Sequence, residues 1–141
     1  MYRSLKYSPV LYFDLDTLIV GDISRFARIE RGFTMVDDFI YAPAAASGVQ
    51  SWFGDYSHLT DTFAKDSYRL GQKWDAATKG QIGDQGFIHQ ELGQVDKFDK
   101  KVVVRYNPNS RQVPRNASVV CFCGSPKQNA SGWPKRIWDA L

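Results

Sequence analysis

The chain has 141 residues, 43% of them hydrophobic and 23% charged, so a single globular domain over residues 1–141 with a moderate core is expected. A net charge of +3 suits a polyanionic ligand but is too small to imply nucleic acid. Two cysteines do not make a secreted disulfide framework, the opening MYRSLKYSPV lacks the apolar run of a signal peptide, and no stretch can span a membrane; the expected compartment is cytoplasmic.

The first element expected is a strand at Val10–Phe13, four apolar or aromatic residues that read as part of a parallel sheet covered on both faces. It ends at Asp14-Leu15-Asp16. A short apolar run at Leu18–Val20 leads to Gly21-Asp22 and a helix from Ser24, capped by Ser24 or Asp22. Phe33–Val36 predicts a second strand ending at Asp37-Asp38. Ala42–Gly48 reads as a small-residue loop, followed by a third strand at Val49–Phe53. Helices are predicted over His58–Leu70 and Asp84–Leu92, the latter with Asp84 at its positive N-terminus. Lys101–Tyr106 and Ser118–Cys123 read as strands, and Pro134–Leu141 as a short helix with Pro134 in its first turn. Strands alternating with helices indicate an α/β sheet, in which ligands sit at the carboxyl ends of strands.

Asp14 and Asp16 fall at such an end. A buried carboxylate has to be paired, hydrogen-bonded or bound to a cation, and a second carboxylate two residues away raises the cost of ionising both. A divalent metal removes that penalty, and Mg²⁺ or Mn²⁺ held there would clamp a nucleotide diphosphate. A loop pair that merely caps turns is the bland alternative. The pattern is also near the Asp-x-Asp-x-Thr of the haloacid-dehalogenase-like phosphatases, but Thr17 comes one position too early and Gly83-Asp84 is not followed by further acids.

Other motifs occur in a consistent order: Tyr12-Phe13-Asp14-Leu15-Asp16-Thr17 with Val20-Gly21-Asp22-Ile23, then Ser47-Gly48-Val49, then Gly83-Asp84-Gln85-Gly86-Phe87-Ile88, then Val119-Val120-Cys121-Phe122-Cys123-Gly124-Ser125-Pro126-Lys127. Together, over Val10 to about Lys127, they resemble the nucleotide-sugar glycosyltransferases with an Asp-x-Asp motif, in particular the retaining, glycogenin- and galactosyltransferase-like group. The resemblance implies a GT-A-like α/β fold, a single Rossmann-like mixed sheet flanked by helices, here without its first βαβ unit. It implies transfer of a hexose from a UDP-sugar to a carbohydrate or lipid-glycan acceptor, with Mn²⁺ or Mg²⁺ as cofactor.

Carried over residue by residue, Asp14, Asp16 and Cys121 stand at metal positions. Asp14, Ser47, Gly48, Gly124 and Lys127 stand at substrate-binding positions, and Asp84 and Gln85 at catalytic ones, Gln85 under the anomeric carbon. Lys127 would neutralise the departing diphosphate. The departures are as definite. The family's third ligand is a histidine, whose place falls on Cys121 in one frame and on Cys123 in another, and a thiol is a poor ligand for a hard cation. Lys127 is followed by Gln128-Asn129, and Ala46 stands where the family has asparagine. A non-catalytic remnant acting as a binding module is therefore the second reading. Trp133 is the candidate on the acceptor side, the cations from Lys97 to Arg115 read either as an anion-attracting stretch or as a solvated face, and self-association is left open.

Overall fold

The structure, a computed structural model, describes residues 8–30, 32–40, 44–65, 67, 83–125, 127 and 131–140. In chain order the elements are β1 (Val10–Phe13), β2 (Thr17–Ile19), a 3₁₀ turn (Ser24–Ala27), β3 (Gly32–Asp37), β4 (Ala45–Phe53), α1 (Ser57–Lys65), α2 (Asp84–Leu92), β5 (Asp96–Lys97), β6 (Val103–Arg105), β7 (Val119–Cys121) and α3 (Gly132–Trp138). The described strands form two open sheets, one ordered β1-β4-β3-β5 and the other β2-β7-β6. Both mix parallel and antiparallel pairs: β3 with β5 and β6 with β7 are parallel, the rest antiparallel.

Period-2 alternation explains how β1 serves two layers. Val10 and Tyr12 pack on a cluster of Phe33, Met35, Trp52, Leu59, Phe87 and Ile88, which joins the first sheet to α1 and α2. Leu11 and Phe13 point the other way, to a cluster of Phe26, Val36, Val49, Val103, Val119 and Cys121 that joins the two sheets. A third cluster, Leu18, Val120, Phe122 and Trp133, lies on the far face of the second sheet under α3. The β1 strand is thus covered on both faces, as expected. Its pairing is not the expected parallel one: it runs antiparallel to β4, Val10 opposite Trp52 and Phe13 opposite Val49.

Two boundaries also differ from expectation. The helix predicted from Ser24 is a single 3₁₀ turn, with Asp22 accepting from the Ser24 N–H at 2.8 Å and from its hydroxyl at 2.9 Å. The small-residue segment before Val49 is strand, not loop, from Ala45 onward. Of the helix expected to Leu70, α1 ends at Lys65, and residues 66 and 68–70 lie outside the described residues. Among the described residues no helix is long and apolar enough to cross a membrane.

Candidate functional site

A register break in the first sheet builds one wall of the site. Met35 pairs with Gln50, but the next residue, Val36, pairs with Ala46, so Ser47, Gly48 and Val49 are extra residues on β4. Such a bulge bends a strand and re-aims its groups. The Gln50 side chain, fully buried, closes it by donating from Nε2 to the Ser47 carbonyl at 2.8 Å. The bulge delivers the Gly48 carbonyl to the end of β1, where it accepts from the Asp14 N–H at 2.9 Å. A Cβ on Gly48 would lie 3.9 Å from Asp14 Oδ2, so the absence of a side chain leaves that oxygen open.

The Asp-x-Asp turn is pinned at both ends. The Asp14 carbonyl accepts from the Thr17 N–H at 3.0 Å and its hydroxyl at 2.7 Å, and the Asp16 carbonyl accepts from the Phe122 N–H at 2.9 Å. Leu15, between them, is 95% exposed, so its side chain lies outside the core. The Tyr12 hydroxyl donates to Asp14 Oδ1 at 2.6 Å. Lys127 Nζ donates to Asp16 Oδ2 at 2.8 Å and to the Phe122 carbonyl at 3.4 Å.

The electrostatics gather the remaining acid. Burial raises the Asp14 carboxyl above its ordinary value; the Tyr12 hydrogen bond opposes that, the charges of Asp16 and Asp84 add to it, and Lys127 offsets part. The Tyr12 phenol is pushed up to about 12, first by its hydrogen bond to Asp14, then by burial and by the charges of Asp14, Asp84 and Asp16. Asp84 reaches this place because Gly83, at φ 79°, turns the chain into α2 and puts Asp84 in its first turn. Tyr12 is thus hydrogen-bonded to Asp14 and Lys127 to Asp16, while the charge of Asp84 is felt at both Tyr12 and Asp14. The adjacent Gln85 is half-buried in the same helical turn, and Gly124, at φ 85°, is exposed in the turn after β7.

The two cysteines part company. Cys121 is buried in β7 opposite Thr17, packed in the cluster between the sheets. Burial, with the charges of Cys123, Asp16 and Asp14, pushes its thiol to about 12. Cys123 is exposed; burial of its sulfur raises its thiol, Arg105 lowers it, and Asp16 and Asp38 raise it. Among the described residues no three His, Cys, Asp or Glu side chains are grouped to hold a metal ion. Two hard carboxylate ligands do fit a Mg²⁺-type cation that takes its remaining ligands from water and phosphate.

Trp133 is buried and meets Tyr106 edge-on at 5.9 Å, so it is a core residue rather than an acceptor platform. Sequence reading named Tyr12 only as part of a motif and missed Gln50 altogether. A buried glutamine two residues after a glycine in a strand was the signal for a bulge.

Comparison with known proteins bears on the fold. No protein-family model and no curated protein matches the sequence. Among solved structures the chain is similar to the apo form of the glycosyltransferase GlyE of Streptococcus pneumoniae TIGR4, at 13% identity and a TM-score of 0.62, over 96% of this chain and 39% of that one. It is also similar to LgtC, as the active-site mutant Q189E (14% identity, TM-score 0.58) and as a galactosyltransferase complex with donor and acceptor sugar analogs (16%, 0.57), each over 96% of this chain and 61% of that one. The chain thus spans 39% to 61% of the length of the proteins it matches. At these identities the likeness establishes architecture: the chain has the GT-A-like α/β fold of glycosyltransferases.

Proposed function

We propose that this chain carries the donor-diphosphate site of a metal-dependent glycosyltransferase that moves a hexose from a UDP-sugar to a carbohydrate or lipid-glycan acceptor with retention of configuration. The observation that carries the reading is the Asp14–Asp16 pair at the carboxyl end of β1, with Lys127 on Asp16 and the charge of Asp84 felt at Asp14, in a chain with a glycosyltransferase-like fold. Asp14 and Asp16 are the residues to hold Mn²⁺ or Mg²⁺, which when bound supplies charge neutralisation to a diphosphate. Tyr12 fixes one oxygen of Asp14 and leaves Oδ2 toward Gly48. Lys127, on a half-exposed side chain, exchanges Asp16 for the diphosphate oxygens that gain charge as the glycosidic bond breaks. Asp84 accepts from donor-sugar hydroxyls, and Gln85 faces the anomeric carbon as it becomes electron-poor.

The test is UDP release from UDP-glucose and UDP-galactose, with Mn²⁺ and with chelator, in the presence and absence of lactose. Metal-dependent release abolished by Asp16→Ala supports the reading. A second reading, a binding module without turnover, is favoured by a cysteine at the histidine place and by the lack of a three-ligand group among the described residues. Tight UDP binding with no release under any of these conditions selects it.

A further inference from the structure

The second sheet has a cleft at the end away from the Asp-x-Asp turn. Its volume is about 580 Å³, and it lies between the Val20–Asp22 segment, the Asp99–Val102 turn and residues 113–118. The length of β2 separates it from Asp16: four residues of extended chain from Asp16 to Val20 span roughly 13 Å.

The floor is rigid backbone. Val20 and Gly21 both donate to the Ser118 carbonyl, at 2.8 and 3.2 Å, and Ser118 and Val119 donate to the Val102 carbonyl, at 2.9 and 3.1 Å. Gly21 is required there, because a Cβ would stand 2.9 Å from the Ala117 carbonyl oxygen. Arg25, Lys101 and Arg115 line the walls. Among the described residues none of these three head groups forms an ion pair or a hydrogen bond.

Two carboxylates also line the cleft, and both are occupied within their own turns. Asp22 accepts from the Ser24 N–H and hydroxyl, which hold its carboxyl below the usual range, with Arg25 and Arg28 adding to the effect. Asp99 accepts from the Lys101 N–H at 2.8 Å. Against these two carboxylates the three cations leave the lining with an excess of positive charge, and a concavity focuses such a potential. Phosphate oxygens offer three cationic side chains several charge-assisted acceptors at once, more than a single carboxylate does.

We propose that this cleft binds a phosphate-type oxyanion, a phosphomonoester or diphosphate group, through Arg25, Lys101 and Arg115, as a site separate from the one on Asp14 and Asp16. The proposal does not depend on the glycosyl-transfer reading.

The test is an amide NMR titration with pyrophosphate, without added metal, and in parallel with glucuronate. Saturable shifts at Gly21, Lys101 and Asn116, with affinity at least tenfold weaker in Lys101→Ala/Arg115→Ala, are expected. Arg25→Gln provides an independent variant should the double substitution disturb the fold, which the same spectra report. Shifts confined to Asp16, Phe122 and Lys127 overturn the proposal, as do shifts that never saturate. Saturable shifts with glucuronate and none with pyrophosphate overturn the phosphate assignment.

Discussion

Lys127 and Asp16, 111 residues apart in sequence, meet at 2.8 Å between Nζ and Oδ2, and the pair stands beside the other acids of the site. Their side chains are 50% and 38% exposed, so the contact adds little to stability, on the order of 0–1 kcal/mol. Lys127→Met should therefore leave the melting temperature nearly unchanged while weakening UDP binding by about tenfold or more, ~1.4 kcal/mol. Calorimetry and thermal melting of the same variant check this. A large loss of stability with unchanged binding would make Lys127 a structural residue.

Asp14 should separate function from stability in the opposite direction. Its folded carboxyl is raised, so the unfolded chain ionises first, and Asp14 costs the fold stability once pH rises above the ordinary carboxylate range. Asp14→Asn keeps an oxygen for Tyr12 and removes the charge, so it should melt no lower than the parent at pH 7 and lose metal-dependent UDP binding. Melting curves at pH 3 and pH 7 settle the sign: the advantage of Asn has to be larger at pH 7.

Asp37 behaves in the reverse sense. Burial works against its ionisation, but hydrogen bonds from Lys100 and Lys97 outweigh it and hold the carboxyl below the usual range. The stability it contributes is present above the unfolded value near 3.8 and is lost as pH falls through the lower folded value. Asp37→Asn should cost up to about 1 kcal/mol at pH 7, because the Lys100 and Lys97 side chains it leaves are 75% and 31% exposed and water replaces the lost contacts. Denaturant unfolding at pH 7 and pH 3 should show the two proteins converging at the acid end.

Gln50→Leu tests the bulge. Without Nε2 the buried Ser47 carbonyl loses its donor, a cost of about 1–3 kcal/mol, and the Gly48 carbonyl is no longer held against the Asp14 N–H. Both lower stability and weaker UDP binding are expected, although Gln50 touches no ligand position. Full UDP affinity in a destabilised variant would uncouple the bulge from the site.

The cysteines should differ in reactivity. Iodoacetamide at pH 8 should modify Cys123 and spare Cys121 in the folded protein, slowly because burial raises both thiols, and faster as pH increases. Peptide mass mapping reads the site. Equal labelling of both would contradict the packing of Cys121 between the sheets.

What could be read in the sequence was what local pattern controls. Val10–Phe13 and its carboxylate end, the bounds of Asp84–Leu92 and the first-turn place of Asp84 follow from apolar runs, turn formers and a glycine before the helix. The pairing direction of β1 was hidden because a strand covered on both faces has the same apolar run whether its neighbour is parallel or antiparallel. The start of β4 was hidden because Ala44 to Gly48 are small residues with weak strand preference, held extended by β3 on one side and opened by the bulge on the other. Trp133 looked like a sugar platform until the third cluster, built from residues far away in sequence, enclosed it. At the site, the acids and Lys127 were visible as motifs. The hydrogen bonds of Tyr12 and Gln50 that position them depend on tertiary contacts no spacing reveals.

The central claim is that Asp14, Asp16 and Lys127 form a metal–diphosphate site on this chain. The most direct measurement is calorimetric titration of UDP into the protein with Mn²⁺ and again with chelator, repeated on Asp16→Ala. Saturable binding that requires Mn²⁺ and disappears in the variant is the predicted result. Binding that survives both chelator and the substitution, or no binding with Mn²⁺ present, would contradict it.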